Sequence, residues 1–185
     1  MPRVLVADSI AQEGIDLLKS SADVEVRTKL PPAELIGIVP EYEGLIGRSE
    51  TKVTSEVVAA GERLQVIGRA GVGVDNIAVD TATELGIPVT YVPDYCVDEV
   101  SDHVMALLLT WNRQVGFYNR VAKKGRWEGT NSPVPLVRLR GRTMGIVGLG
   151  RIGRAVAAKA QAFGLNVLAH DPFLPTDGPR PEGVK

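Results

Sequence analysis

A strand, a tight glycine turn and a helix in immediate succession constrain this chain more than any other feature. Met144–Val147 is an apolar run of strand length, and Gly148-Leu149-Gly150-Arg151-Ile152-Gly153 follows it at once. Ile152–Phe163 then carries a helical pattern, closed by Gly164, a residue free to take the left-handed cap conformation. Asn166–Ala169 is a second strand, and Asp171 comes after it, near the ~20-residue spacing of an acid that follows such a turn. Each glycine has its own task. Gly148 allows the sharp turn, Gly150 leaves the backbone open to close approach, and Gly153 lets the helix lie against the strand. The helix start, at Arg151 and Ile152, offers unpaired N–H groups and a partial positive charge to an anion. A carboxylate at position 171 accepts hydrogen bonds from ribose hydroxyls and repels a 2′-phosphate. The pattern predicts the adenosine-and-pyrophosphate half of a Rossmann NAD site. Its expected contacts are Gly148, Gly150, Arg151, Ile152, Gly153 and Asp171, with NAD favoured over NADP. The alternative is a glycine turn in a βαβ unit that binds nothing.

Upstream, short apolar runs alternate with helix-like stretches. Strands are expected at Val4–Ala7, Val24–Arg27, Gly44–Gly47, Leu64–Gly68 and Pro88–Val92. Helices are expected at Ala11–Ser20, from Pro31-Pro32, at Thr54–Gly61 and at Val79–Leu85. Such alternation implies a parallel sheet wrapped by helices. The fold class is therefore α/β: a flavodoxin-like doubly wound domain over residues 1–97, then an incomplete Rossmann domain over 124–185. Between them, 98–123 reads as an interdomain helix. Within it, Val100, Val104, Leu107, Leu108, Trp111 and Val115 follow helical spacing over 98–116. Two readings stand: a core helix, or a helix that links two domains and packs on a second subunit. Residues 124–142, rich in Gly, Pro and Arg, read as a solvated connector.

Charge narrows the partners. The formal net charge is −1, with 23% charged and 44% hydrophobic residues, so there is no basic footprint for nucleic acid. No apolar run reaches the ~20 residues that span a bilayer, and the N-terminal run is too short for a signal peptide. One cysteine, Cys96, rules out an internal disulfide and suits a reducing compartment, with the cytoplasm as the expected location. No metal site is expected. Of the two histidines, His103 is expected to be a packed residue of the apolar helix and His170 to lie by the adenosine. Asp75 and Asn76 are expected to brace their own turn.

With the glycine turn in place, several segments resemble the D-isomer-specific 2-hydroxyacid dehydrogenases. Arg69-Ala70-Gly71-Val72-Gly73-Val74-Asp75-Asn76-Ile77 is similar to the family's substrate loop, especially in its phosphoglycerate dehydrogenase-like members. Arg48-Ser49-Glu50-Thr51-Lys52-Val53-Thr54 is similar to an earlier family segment, and Leu139–Gly153 to its cofactor segment. Tyr95–His103 and Asp171-Pro172-Phe173-Leu174 lean toward the C-terminal-binding-protein-like branch. The resemblance implies reversible hydride transfer between NAD and a small anionic 2-hydroxy acid, giving the 2-keto acid. It implies substrate contacts at Arg48, Arg69, Gly71, Val72 and Gly73, with Val72 also touching the cofactor. Ion pairing with nearby acids is the competing reading for Arg48 and Arg69.

The resemblance also implies something missing. The family's arginine, glutamate and histidine that perform the chemistry come well after the glycine turn, and no residue here takes those roles. The expectation is a fragment short by roughly 100–150 residues, homodimeric through 98–123 when complete. Two other readings stay open: an NAD-sensing binding module like the C-terminal-binding-protein corepressors, and an inactive remnant.

Overall fold

The computed structural model describes residues 1–127, 134–175 and 180–185. The part of the expected connector at 128–133 lies outside the described residues, as does 176–179. The chain divides into two compact units, Met1–Tyr95 and Cys96–Lys185.

The first unit is a five-stranded parallel sheet. Its strands are β1 (Arg3–Val6), β2 (Asp23–Val26), β3 (Gly44–Gly47), β4 (Val66–Arg69) and β5 (Val89–Tyr91), in the order β2-β1-β3-β4-β5. That is the flavodoxin-like order. The helices between them are α1 (Gln12–Lys19), α2 (Pro32–Ile38), α3 (Ser55–Ala60) and α4 (Val79–Glu84). Right-handed crossovers put α1 on one face and α2, α3 and α4 on the other, with α3 in contact with both α2 and α4. Pro32 opens α2 at a position whose N–H has no helical partner to lose. Leu5, Leu45 and Ile67 on the central strands are fully buried, against Leu35 of α2 and Val57 and Val58 of α3. Central parallel strands are covered on both faces, which is why these runs are continuous in apolar residues rather than alternating.

The second unit pairs β6 (Thr143–Val147) with β7 (Asn166–His170) in parallel, joined by α7 (Arg151–Ala162). Met144, Ile146, Val167 and Ala169 face α7, where Val156, Ala157 and Ala160 complete a small core. The opposite face of this sheet is bare: Val147 is 89% exposed and Leu168 55%. The last described residues pair with β7. Val184 forms a parallel bridge with Val167, and Lys185 N–H donates to the Val167 carbonyl (3.0 Å).

The expected helix over 98–116 is broken. α5 (Val97–Asn112) ends where Gln114 takes a left-handed φ of 52°, and α6 (Val115–Lys123) starts anew. Gln114 stabilises the break itself, its side-chain amide donating to the Trp111 carbonyl at 2.7 Å. α5 packs on α7 with Ser101, Met105 and Leu108. Lys159 of α7 reinforces that contact by donating to Ser101 Oγ (2.6 Å) and Asp102 (2.6 Å). The other face stays uncovered, with Leu107 57% and Trp111 63% exposed. His103 corrects an expectation: it is exposed, not packed. It lies two positions from both Ser101 and Met105, which puts it on the far side of the helix.

Candidate functional site

In the first unit, sheet order decides where a site can form. The chain leaves β1 toward β2 on one side and leaves β3 toward β4 on the other. The loops at their carboxyl ends therefore diverge and open a crevice. Asp8 follows β1, and Arg48 follows β3. Asp8 is 2% exposed, and its Oδ2 accepts the N–H of Arg48 and that of Thr51 (3.2 Å). Asn76 reaches the same turn from the loop after β4. Its Nδ2 donates to the carbonyls of Arg48 and Thr51, both at 2.6 Å. This corrects the expectation that Asn76 braces its own turn. The Arg48 guanidinium is exposed, with one bond to the Ser9 carbonyl at 3.3 Å.

Arg48 and Gly71 line one cavity of ≈440 Å³, together with Ile10, Val92 and Tyr95. A Cβ on Gly71 would meet only the Arg69 guanidinium, the far end of a flexible side chain, so a side chain at 71 would push that guanidinium aside. Arg69 Nε is buried without a partner. Val72 is half-buried and Gly73 exposed, just beyond the cavity. Of the five expected substrate contacts, Arg48 and Gly71 meet around one space, while Arg69 folds over Gly71. Asp8 was missed from sequence, where it reads only as the end of an apolar run.

The second unit builds its glycine turn as the residue types require. Gly148 has φ +91° and donates its N–H to the His170 carbonyl at 2.8 Å. A Cβ on Gly153 would collide with the Gly148 carbonyl oxygen, with its carbon only 3.1 Å away. A Cβ on Gly150 would meet nothing within 4 Å, so the space above that residue is open. α7 starts at Arg151 with no side-chain cap and no acid in its first turn. The positive end of the α7 dipole thus keeps its attraction for an anion.

Asp171 ties the turn to β7. Its Oδ2 accepts the Leu149 N–H at 2.7 Å and its Oδ1 the Phe173 N–H at 2.9 Å. These two amides, Leu149 first, hold its carboxyl below the usual carboxylate range. Each carboxylate oxygen keeps a further lone pair for a ligand hydroxyl. Asp171 lines a cavity of ≈240 Å³ with Leu149, His170, Pro172 and Arg180. The arginine was not legible from sequence, where no arginine adjoins Asp171. The residues fit a dinucleotide at the phosphate and ribose positions, since the open Gly150 and the uncapped helix start coincide.

The family model for the D-isomer-specific 2-hydroxyacid dehydrogenase catalytic domain matches residues 4–168. The chain belongs to the D-isomer-specific 2-hydroxyacid dehydrogenases. It is 45% identical over 174 residues to a D-3-phosphoglycerate dehydrogenase of Synechocystis, covering 94% of this chain and 31% of that protein. Among solved structures, the TT0316 protein of Thermus thermophilus superimposes with TM-score 0.83 at 37% identity, over 99% of this chain and 59% of that one. The D-lactate dehydrogenase of Aquifex aeolicus, solved with NAD and lactic acid, gives TM-score 0.80 at 27% identity, over 95% of this chain and 53% of that one. The chain thus spans about a third of the length of the curated relatives named D-3-phosphoglycerate dehydrogenase.

Proposed function

We propose that this chain is the substrate-loop and adenosine-binding portion of an NAD-dependent dehydrogenase of small D-2-hydroxy acids. The observation that carries the reading is the turn at 148–153. Gly148 is left-handed, Gly153 admits no Cβ, and the space above Gly150 is open at an uncapped helix start. In this reading residues 1–97 form the substrate domain and 124–185 the first part of the NAD domain. Gly148, Gly150 and Gly153, with the Arg151 and Ile152 amides, hold the pyrophosphate, and Asp171 takes the ribose hydroxyls. Bound NAD supplies the hydride acceptor. Arg48, Arg69 and the Gly71–Gly73 amides hold the anionic acid, with Val72 against the cofactor. No residue of 1–185 is assigned the proton transfer in this reading. The bare sheet face at Val147 and Leu168 supports a fragment reading, because apolar strands of a parallel sheet are normally covered.

Leu107 and Trp111, exposed on α5, support a homodimer through this helix in the complete protein. The single thiol suits the reducing cytoplasm. No described helix is long and apolar enough to cross a membrane.

Calorimetric titration with NADH and NADPH tests the reading. The chain binds NADH with sub-millimolar affinity and prefers it to NADPH. In Asp171→Ala the preference shrinks or reverses, because the carboxylate is gone while Arg180 still lines the cavity. An unchanged preference removes Asp171 from the ribose site, and no binding of either nucleotide removes the cofactor assignment.

A further inference from the structure

The turn after β3 is held in an unusual way. Arg48 and Thr51 each have their backbone N–H taken by Asp8, and each have their carbonyl taken by Asn76. Two side chains from two other loops therefore grip all four backbone groups at the two ends of one four-residue turn. Thr51 adds a third tie, its buried hydroxyl donating to the Ala7 carbonyl at 3.2 Å. A parallel bridge between Val53 and Ile77 zips the same two loops just beyond. The Arg48 backbone is held by residues 40 and 28 positions away.

We propose that Asp8 and Asn76 are positioning residues for Arg48, fixing the turn so that its guanidinium is presented to the cavity it shares with Gly71. This rests on the reading of Arg48 as a contact for the anionic acid. Asp8 is the buried carboxylate for which that reading otherwise has no use. Its negative charge lies at the backbone of Arg48, where it can only accept N–H bonds, and the guanidinium extends past it toward Ser9 and the cavity. Side-chain charge and backbone grip are thereby separated. The carboxylate bonds to backbone amides through Oδ2, and the bond of the Arg48 guanidinium goes to the Ser9 carbonyl and not to the carboxylate. Asn76 completes the arrangement because an amide can donate to two carbonyls at once, which an aspartate cannot. Each of the two keeps one oxygen buried without a partner, Asp8 Oδ1 and Asn76 Oδ1. The side chains are thus set by the turn they grip and not by their own full satisfaction.

Oxalate, a planar two-carbon dianion, is the probe, titrated into the full 185-residue chain with amide NMR as the readout. In the wild type, oxalate shifts the Arg48 and Gly71 amides. Asp8→Leu and Asn76→Ala each weaken oxalate about ten-fold and expose the Arg48 and Thr51 amides to hydrogen exchange, with the amides of β4 still protected. Asp8→Asn, which keeps an acceptor oxygen, restores affinity to within about two-fold of wild type. In an Arg48→Ala background Asp8→Leu costs no further affinity, since a positioning residue acts only through the group it positions. A loss equal in both backgrounds, or unchanged exchange at Arg48 and Thr51, overturns the proposal. If wild-type oxalate shifts avoid Arg48 altogether, the substrate-site reading fails instead, and the exchange data still decide whether Asp8 and Asn76 hold the turn.

Discussion

The two ends of the strands in the first unit are built on opposite plans. At the amino ends, polar groups are closed into mutual contacts. Arg3 pairs with Glu41 at 2.8 Å and Glu25 at 3.3 Å, and lies 4.7 Å over the Tyr42 ring. Tyr42 donates its hydroxyl to Glu25, and Glu43 accepts both the Arg3 N–H and the Arg63 guanidinium. At the carboxyl ends the plan is left open. Asp8 Oδ1, Arg69 Nε and Asn76 Oδ1 are buried without partners, and every such atom among the described residues of the first unit lies there. An unsatisfied buried polar group costs about 1–3 kcal/mol. A fold keeps several at one end only where something else gains from them, and the turn at Arg48–Thr51 that Asp8 and Asn76 grip is the physical candidate. The second unit repeats the contrast by itself. Its amino ends are closed by bonds such as Gly141 N–H to the Gly164 carbonyl (2.7 Å) and Asn166 N–H to the Arg142 carbonyl (2.8 Å). Its carboxyl end carries the uncapped helix and the open Gly150.

The contrast breaks most sharply at Gly153. Gly153→Val forces a branched side chain into the Gly148 carbonyl, and neither backbone segment can give way cheaply. The expected result is at least ~100-fold weaker NADH binding by calorimetry, with a lower melting temperature for the second unit. If affinity survives within about two-fold, the close strand–helix approach is not what shapes the site.

Arg3→Met probes the opposite end. It removes three partly exposed ion contacts and the ring contact, so the melting temperature falls by a few degrees. Oxalate and NADH affinities stay at wild-type values. A loss of ligand affinity here, without unfolding, would erase the distinction between the two ends.

The smallest effect is one of pH. Burial and the bond to Glu25 push the Tyr42 hydroxyl up to about 12 from its ordinary 10. A group raised on folding stabilises the native state below its unfolded pKa, so this contribution is complete below pH 10. It disappears as pH climbs from 10 toward about 12. Denaturant melts at stepped alkaline pH should show that decline in wild type and a flatter profile in Tyr42→Phe. Equal profiles would remove Tyr42 from the amino-end network.

Much of this was legible in the chain itself, and particular residues explain why. Gly44–Gly47 is a strand with the bounds its apolar run gives, since a buried parallel strand writes itself as continuous apolar sequence. The turn at 148–153 was legible because its glycines answer to local geometry. What was hidden depends on distance along the chain. Asp8 grips amides 40 and 43 positions away, and Asn76 grips carbonyls 28 and 25 positions away. Arg180 shares the Asp171 cavity, near a bridge between Val184 and Val167 that no local pattern announces. The end of α5 was hidden for another reason. A left-handed glutamine has no signature, since that conformation is carried more often by glycine or asparagine.

One titration followed residue by residue tests the central claim, that both units bind their ligands at the carboxyl ends of their strands. NADH and then oxalate are added to the chain while its backbone amides are monitored by NMR. NADH should shift Gly148 to Gly153, Asp171 and Phe173, oxalate should shift Arg48 and Gly71, and Arg3, Glu25 and Tyr42 should stay still. Shifts centred on Arg3 and Tyr42, or saturating NADH that leaves Gly150 and Asp171 unmoved, would contradict it.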